Sequence, residues 1–300
     1  MFCNNLISNE FFKISINPLK GTSIVNFHVN KNGKWLEVMP DTSKPNSELD
    51  AASFLMIPYS NRIENGLFEF EGKKYNLQTK HDTHAIHGDV RYRPWELKSR
   101  SDNRIIYSFT SESIADINWP WKFEGEAVYS LEKNIFHSEI KVKNKDISKM
   151  PVGLGWHPYF NRDLTTLNEK VFLCFDNERV YPDDFDNRIP SGLPQPIPEN
   201  RSFSKEKFLE RDDFFDKCFQ GFKGKGFIHW PESKLKLLFE CSGLCSHLII
   251  YNPLKPYFAV EPVTNANNGV NLLSKGHTCS GVKILYPGEA LSAFFNLIVD

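Results

Sequence analysis

The chain has 300 residues, 40% hydrophobic and 24% charged, an ordinary globular balance that excludes wholesale disorder and allows one large domain or two medium ones. Lys and Arg number 36 against 37 Asp and Glu, and this net charge of -1, with no basic run to offset it locally, excludes a nucleic-acid binder. The unusual feature is an aromatic content of 14% with 25 Phe, a composition that favours strands and supplies flat faces for stacking ligands.

Period-two alternation dominates from the start of the chain. Residues 12–17 (FKISIN) and 22–38 (TSIVNFHVNKNGKWLEV) read as strands, the second folded back at Asn32-Gly33, where both residues tolerate positive φ. Residues 67–77 repeat the pattern around Glu71-Gly72, followed by 103–110 and by a long pair over 123–143 turning near Lys133-Asn134. Residues 170–175, 226–230, 234–251, 257–264 and 282–298 continue in the same way, with Ser242-Gly243 read as a turn. Only 205–219 (KEKFLERDDFFDKCF) offers a helix, and it lacks a clean apolar stripe. Residues 181–202, rich in Pro, Asp and Asn, read as a long surface excursion. A dozen or more strands without long helices predict an all-β protein, a large antiparallel β-sandwich built as one domain over 1–300. The absence of a Gly-rich strand–helix loop argues against dinucleotide and P-loop chemistry.

No apolar run reaches the roughly 18 residues of a membrane helix, and the first residues, MFCNNLISNEFFKISI, lack the basic and apolar regions of a signal peptide. Six Cys (3, 174, 218, 241, 245 and 279) are scattered without paired spacing and read as reduced thiols packed as small apolar groups. A cytoplasmic protein is expected, with no nucleic-acid or membrane partner, working as a monomer or homodimer. Cys241-x3-Cys245-x-His247 has no second ligand pair at a zinc-site spacing, and His81, His84 and His87, spaced by three, do not converge on a strand or loop. No metal is expected.

Four clusters place polar side chains in apolar surroundings: Asn61-Arg62-Ile63 with Asn65-Gly66, His84-Ala85-Ile86-His87-Gly88, Gly155-Trp156-His157-Pro158-Tyr159-Phe160, and Ala259-Val260-Glu261-Pro262. Asp216, between Phe215 and Lys217 in FFDKCF, is a lone carboxylate among aromatics. Each has a plain structural alternative. Arg62 could sit in a surface ion pair, His87 could close a turn, and His157 could be a satisfied core histidine. Glu261 either faces solvent or is buried and used, since an unpaired carboxylate in an apolar strand is costly. Pro158 holds His157 in extended backbone, between Trp156 and Tyr159. Taken together, a base, an acid, a fixed cation and aromatic faces are what proton transfer on a polyhydroxylated ring requires.

These clusters resemble those of the aldose 1-epimerase family, the galactose mutarotase-like proteins. NRIENGLFEFEGKKYNL (61–77), HAIHG (84–88) with Arg93-Pro94-Trp95, GWHPYF (155–160) and FAVEPVTNANNGVN (258–271) with Tyr286-Pro287-Gly288-Glu289 follow the family's order over most of the chain. The resemblance implies a large antiparallel β-sandwich. It further implies Glu261 as general base, His157 as general acid, Arg62 and His87 as groups that bind and polarise sugar oxygens, and Asp216 as holder of a ring hydroxyl. Asn61, Trp156 and Tyr159 are expected to contact the sugar, with Trp156, Tyr159 and Phe215 as pocket wall. The implied activity interconverts the α and β anomers of a free aldose by ring opening and reclosure, without a cofactor. Two rivals stand beside it. A non-catalytic carbohydrate-binding protein would not need an acid and a base across the ring. A mutarotase for phosphorylated or acidic hexoses would place extra cations beside the pocket, with Arg91 and Arg93 as candidates. A glycosidase would want two convergent carboxylates, for which only Asp216 and Glu261 offer themselves.

Overall fold

A computed structural model describes residues 5–80, 82–182 and 187–300; Cys3 and His81, weighed above, lie outside the described residues. The described residues form two large antiparallel sheets, one of eleven strands and one of nine, with a few two-stranded ribbons. The expected all-β sandwich is the fold. The hairpin signals act as the sequence predicts. Asn32 and Gly33 adopt φ of 54° and 83° between the strands Ser23–Lys31 and Lys34–Met39, and Glu71 and Gly72 do the same, at 49° and 74°, between Leu67–Phe70 and Lys73–Asn76. The long pair Phe123–Glu132 and Ile135–Asn144 turns at Lys133-Asn134.

Two readings are corrected. The helix expected over 205–219 is strand instead, Lys207–Phe208 and Phe215–Gln220, because the latter finds a full ladder partner in His247–Asn252 and alternates Phe215 and Asp216 between opposite faces. Ser242-Gly243 turns as expected, with Cys245 N–H donating to Ser242 O at 2.9 Å. It lies between Leu235–Cys241 in the nine-stranded sheet and His247–Asn252 in the eleven-stranded one. The one described α-helix, Gly269–Ser274, lies in the NANNGVN segment, where no helix is expected from the sequence.

The centre of the eleven-stranded sheet runs Ser53–Met56, Gly155–Asn161, Tyr257–Val263, His247–Asn252, Phe215–Gln220. One face of these strands presents Leu55, Trp156, Phe160, Phe258, Val260, Ile250 and Phe215 to the main hydrophobic cluster, which also takes in Phe239, Phe295 and Leu297 of the nine-stranded sheet. That cluster runs from Ile7 to Val299 and is rich in aromatic pairs such as Phe239–Phe295 and Phe160–Phe239. The other face carries a smaller cluster containing Phe54, Met56, Tyr181, Cys218, Ile249 and Val263. It is this second face that holds the polar side chains.

Candidate active site

Register alone assembles the centre of the site. The pairing of Gly155 with Val263 and Tyr159 with Ala259 sets His157 directly across from Glu261. Phe54 pairs with His157 on one side, Ile249 with Glu261 on the other, and Cys218 with Ile249 beyond it. Side chains at cross-strand partners share a face, so one row reads Phe54, His157, Glu261, Ile249, Cys218. The adjoining row, two residues along each strand, reads Tyr159, Ala259, Tyr251, Asp216. His157 Nε2 stands 3.2 Å from Glu261 Oε1. The imidazole stacks on Phe54 with centroids 4.6 Å apart and touches Tyr159 at 4.5 Å.

A second scaffold brings in Arg62 and His87. The short strand Arg62–Ile63 pairs with Ala85–Ile86, Arg62 opposite Ile86. The backbone N–H of His87 then donates to Asn61 O at 2.8 Å, and Asp89 N–H to Ile57 O at 2.9 Å. Asn61 and His87 take left-handed φ of 55° and 61°, a conformation costly for residues with a Cβ and found where surrounding structure enforces it. Gly88 follows at φ 68°, and a Cβ there would meet Ile57 O at 1.9 Å, so only glycine lets this turn pack against the sheet. The result is a His87 ring edge-on to both Phe54 and His157, at 5.4 and 5.2 Å. Arg62 is buried, its Nε donating to Asp82 Oδ2 at 3.0 Å and its Nη1 to Asn61 Oδ1 at 3.4 Å.

Glu261 and His157 are 2% and 5% exposed, and that burial decides their protonation. It pushes the Glu261 carboxyl well above the usual carboxylate range; the nearby Asp216 charge adds to this and Arg62 offsets part. It pushes the His157 imidazole down to about 3, with Arg91 and Arg62 contributing and its own carbonyl opposing. His87 is held well below its ordinary value by burial, by His157 and by Arg91 and Arg62. Burial therefore favours a carboxylic acid beside a neutral imidazole over the ion pair. Several buried atoms here have no hydrogen-bond partner among the described residues: Glu261 Oε2, His157 Nδ1, His87 Nδ1 and Asn267 Oδ1. An unmade buried hydrogen bond costs about 1–3 kcal/mol, so their clustering points to a polar ligand. Beside them lies a cleft of about 290 Å³ lined by Asn61, Tyr181, Arg188, Asp216, Cys218 and Asn267 among others. A roomier groove of about 670 Å³ runs over the outer face of the nine-stranded sheet near Trp95, far from this chemistry.

An aldose 1-epimerase family model matches residues 5–297. The chain belongs to the aldose 1-epimerase family. The uncharacterized protein YphB of Escherichia coli K12 is 23% identical to it over 281 residues, covering 89% of this chain and 91% of that protein. Among solved structures, a GalM/aldose epimerase homologue from C. elegans superposes with a TM-score of 0.82 at 19% identity, covering 99% of each chain. A galactose mutarotase-like protein from Clostridium acetobutylicum does so with 0.81 at 20%, covering 98% of this chain and 94% of that one. At these identities the structural likeness concerns the fold.

Within this epimerase fold the expected site residues divide cleanly. Glu261, His157, His87, Arg62, Asn61, Tyr159 and Asp216 share one face of the eleven-stranded sheet or the turns against it. Trp156 does not. Strand alternation turns it away from His157 into the core, where its Nε1 donates to Ser138 Oγ at 2.8 Å and its ring packs 5.9 Å from Phe295, both on the opposite sheet. Phe215 is turned the same way, 6.0 Å from Phe203, and it is Phe214 that lines the cleft. Arg93 is removed from the site as well, tied to Asp89 at 3.0 Å and Asp116 at 2.6 Å. His84 is structural: Asn65 N–H donates to its Nδ1 at 2.9 Å, and its Nε2 lies 2.8 Å from Asn187 O.

Sequence reasoning passed over Asp82, Tyr181, Arg188 and Asn267. Asp82 orients Arg62. Tyr181 donates to Cys279 O at 2.7 Å, and Asn267 Nδ2 donates to Arg188 O at 2.8 Å, joining two segments that border the cleft. The signal for Asn267 was present in the run TNANNG. Its neighbours are equally engaged, Asn265 bonding Ser60 through both side chain and backbone and Asn268 Oδ1 accepting from Glu64 N–H.

Proposed function

We propose that this protein is an aldose 1-epimerase in activity as well as in family, interconverting the anomers of an aldose with Glu261 as general base and His157 as general acid. The observation that carries the reading is the Glu261–His157 pair itself, 3.2 Å apart, buried, each with a second heteroatom left without a partner. The anomeric hydroxyl oxygen and the ring oxygen are bonded to the same carbon, so a base for one and an acid for the other must stand close together. A binding protein gains nothing from burying such a pair.

Ring opening follows directly. It starts from the ion-pair form, reached when a proton passes from Glu261 to His157 across their 3.2 Å contact. The Glu261 carboxylate then takes the proton of the anomeric hydroxyl while the His157 imidazolium gives one to the ring oxygen, and the bond from the anomeric carbon to the ring oxygen breaks to leave an aldehyde. The pair ends as carboxylic acid and neutral imidazole, the same partition that burial favours. Rotation about C1–C2 presents the other aldehyde face. His157 then takes back the ring hydroxyl's proton as that oxygen attacks the aldehyde, and Glu261 returns its own to the new anomeric oxygen. Atoms and protons balance over the cycle, and no cofactor is consumed. In this reading Arg62 and His87 stabilise the oxygens on which charge develops, and Asp216 accepts from a ring hydroxyl. Such acid–base assistance contributes about 10²–10⁴-fold, the remainder coming from positioning and fixed charge.

The test is the anomerisation rate of freshly dissolved sugars, followed by polarimetry or NMR exchange across neutral aldoses, uronic acids and sugar phosphates. The reading expects at least one sugar to equilibrate faster with the wild type than with Glu261→Gln. Equal rates across the panel would sink it.

A further inference from the structure

Among the described residues, two arginines beside the site, Arg91 and Arg188, have no carboxylate partner, and of these Arg91 is the one packed on the ring that carries His157. Arg62 is paired with Asp82, and Arg93 with Asp89 and Asp116, while Arg91 makes no ion pair with a described residue. Its guanidinium lies over the Phe54 ring, with Cζ 4.2 Å from the centroid, and over the Tyr92 ring at 4.4 Å, one nitrogen donating to the Tyr92 hydroxyl. A guanidinium packed against two rings and paired with no described carboxylate keeps its other N–H donors for a ligand, and such a group binds carboxylates and phosphates with charge-assisted hydrogen bonds.

Its place in the row gives those donors a meaning. Phe54 receives His157 on one ring face at 4.6 Å, so Arg91, stacked at a similar distance, occupies the other. The order across the sheet is Glu261, His157, Phe54, Arg91. With Glu261 at the anomeric hydroxyl and His157 at the ring oxygen, the next sugar atom in that direction is C5, and the substituent it carries outward is the exocyclic carbon. Asp216 lies on the far side of Glu261, toward the remaining ring hydroxyls.

We propose that the substrate is an aldose bearing an anionic group on its exocyclic carbon, a carboxylate or a phosphate, held by Arg91. This rests on the proposed mutarotase reading, which fixes which end of the ring faces which residue. The chain's near-neutral net charge excludes polyanions and has no bearing on a single anionic group met by one placed arginine.

The experiment compares kcat/KM for anomerisation of glucose, glucuronate and glucose 6-phosphate in wild type, Arg91→Gln, Arg91→Lys and Arg188→Gln. The expected result is a wild-type preference for one of the anionic sugars over glucose, which identifies carboxylate or phosphate. That preference falls about 10- to 100-fold in Arg91→Gln, in keeping with loss of a charge-assisted contact, and is partly kept in Arg91→Lys. Because the readout is a ratio between substrates, any effect of Arg91 on His157 cancels. A wild type that prefers glucose or shows no preference overturns the proposal, as does a preference that survives Arg91→Gln or is lost in Arg188→Gln instead. Should no sugar distinguish wild type from Glu261→Gln, the mutarotase reading fails separately. Calorimetric binding of the same three sugars to wild type and Arg91→Gln then decides the anion claim by the same criteria.

Discussion

Replacing Glu261 by Gln should make the protein more stable, and increasingly so as pH rises. The carboxyl is 2% exposed, its Oε2 has no partner, and burial together with Asp216 holds its pKa well above the ordinary 4.5 despite Arg62. A group whose pKa is raised in the fold binds its proton more tightly there than in the unfolded chain. It therefore favours the folded state at low pH, and that contribution is lost as pH climbs from 4.5 to the folded value, at up to about 1.4 kcal/mol per pH unit. Gln keeps the shape without the titration. At pH 4.5 wild type and Glu261→Gln should melt within a degree or two of each other. Across pH 5–9 the gap should widen in the variant's favour, at roughly 2–4 °C per kcal/mol for a chain of this order of size. Thermal melts of both proteins in matched buffers read the difference directly, since every other titrating group is common to both. A gap independent of pH, or one that widens in favour of the wild type, would refute the claim that a buried carboxyl is held in strained protonation here.

The other predictions concern the site's supports. Asp82→Asn leaves Arg62 without its 3.0 Å ion pair; we expect kcat/KM for anomerisation to fall about tenfold with the fold intact by circular dichroism, in line with one charge-assisted hydrogen bond. Trp156→Ala should cost about 3–5 kcal/mol in urea unfolding, because it empties an inter-sheet core position. Trp156→Phe, which still fills that position, should retain its sugar KM, whereas a Trp156 in the pocket wall would raise it. Gly88→Ala drives a Cβ to within 1.9 Å of Ile57 O at φ 68°; a loss of several kcal/mol is expected, with displacement of His87 visible as a collapse of activity in whatever fraction still folds.

Much of the fold was legible because local chemistry and global arrangement agree. Asn32-Gly33 and Glu71-Gly72 turn where positive φ is cheap, and the strands they join alternate cleanly. Residues 214–219 misled because FFDKCF has no obvious period, and only the ladder from Phe215–Gln220 to His247–Asn252 settles it as strand. The site was legible by residue type, since buried His, Glu and Arg in apolar sequence are expensive unless used. Its orientation was harder to read. In GWHPYF the sequence places Trp156 and Tyr159 on either side of His157, and the two-residue period of a strand sends Trp156 to the core and keeps Tyr159 beside the imidazole. Asp82 and Asn267 were missed for a different reason. Each acts on a partner distant in sequence, Arg62 twenty residues away and the Arg188 carbonyl seventy-nine away, and no local pattern announces such a contact.

The central claim is that Glu261 and His157 move protons as one unit, and a double-mutant cycle on anomerisation tests it most directly. Rates are measured by NMR exchange for wild type, Glu261→Gln, His157→Asn and the double variant on the sugar the wild type turns over best. The account predicts that each single change costs about 10²–10⁴-fold, and that the double change costs little more than the worse single one. Wild-type rates in either single variant, or losses that simply multiply, would contradict it.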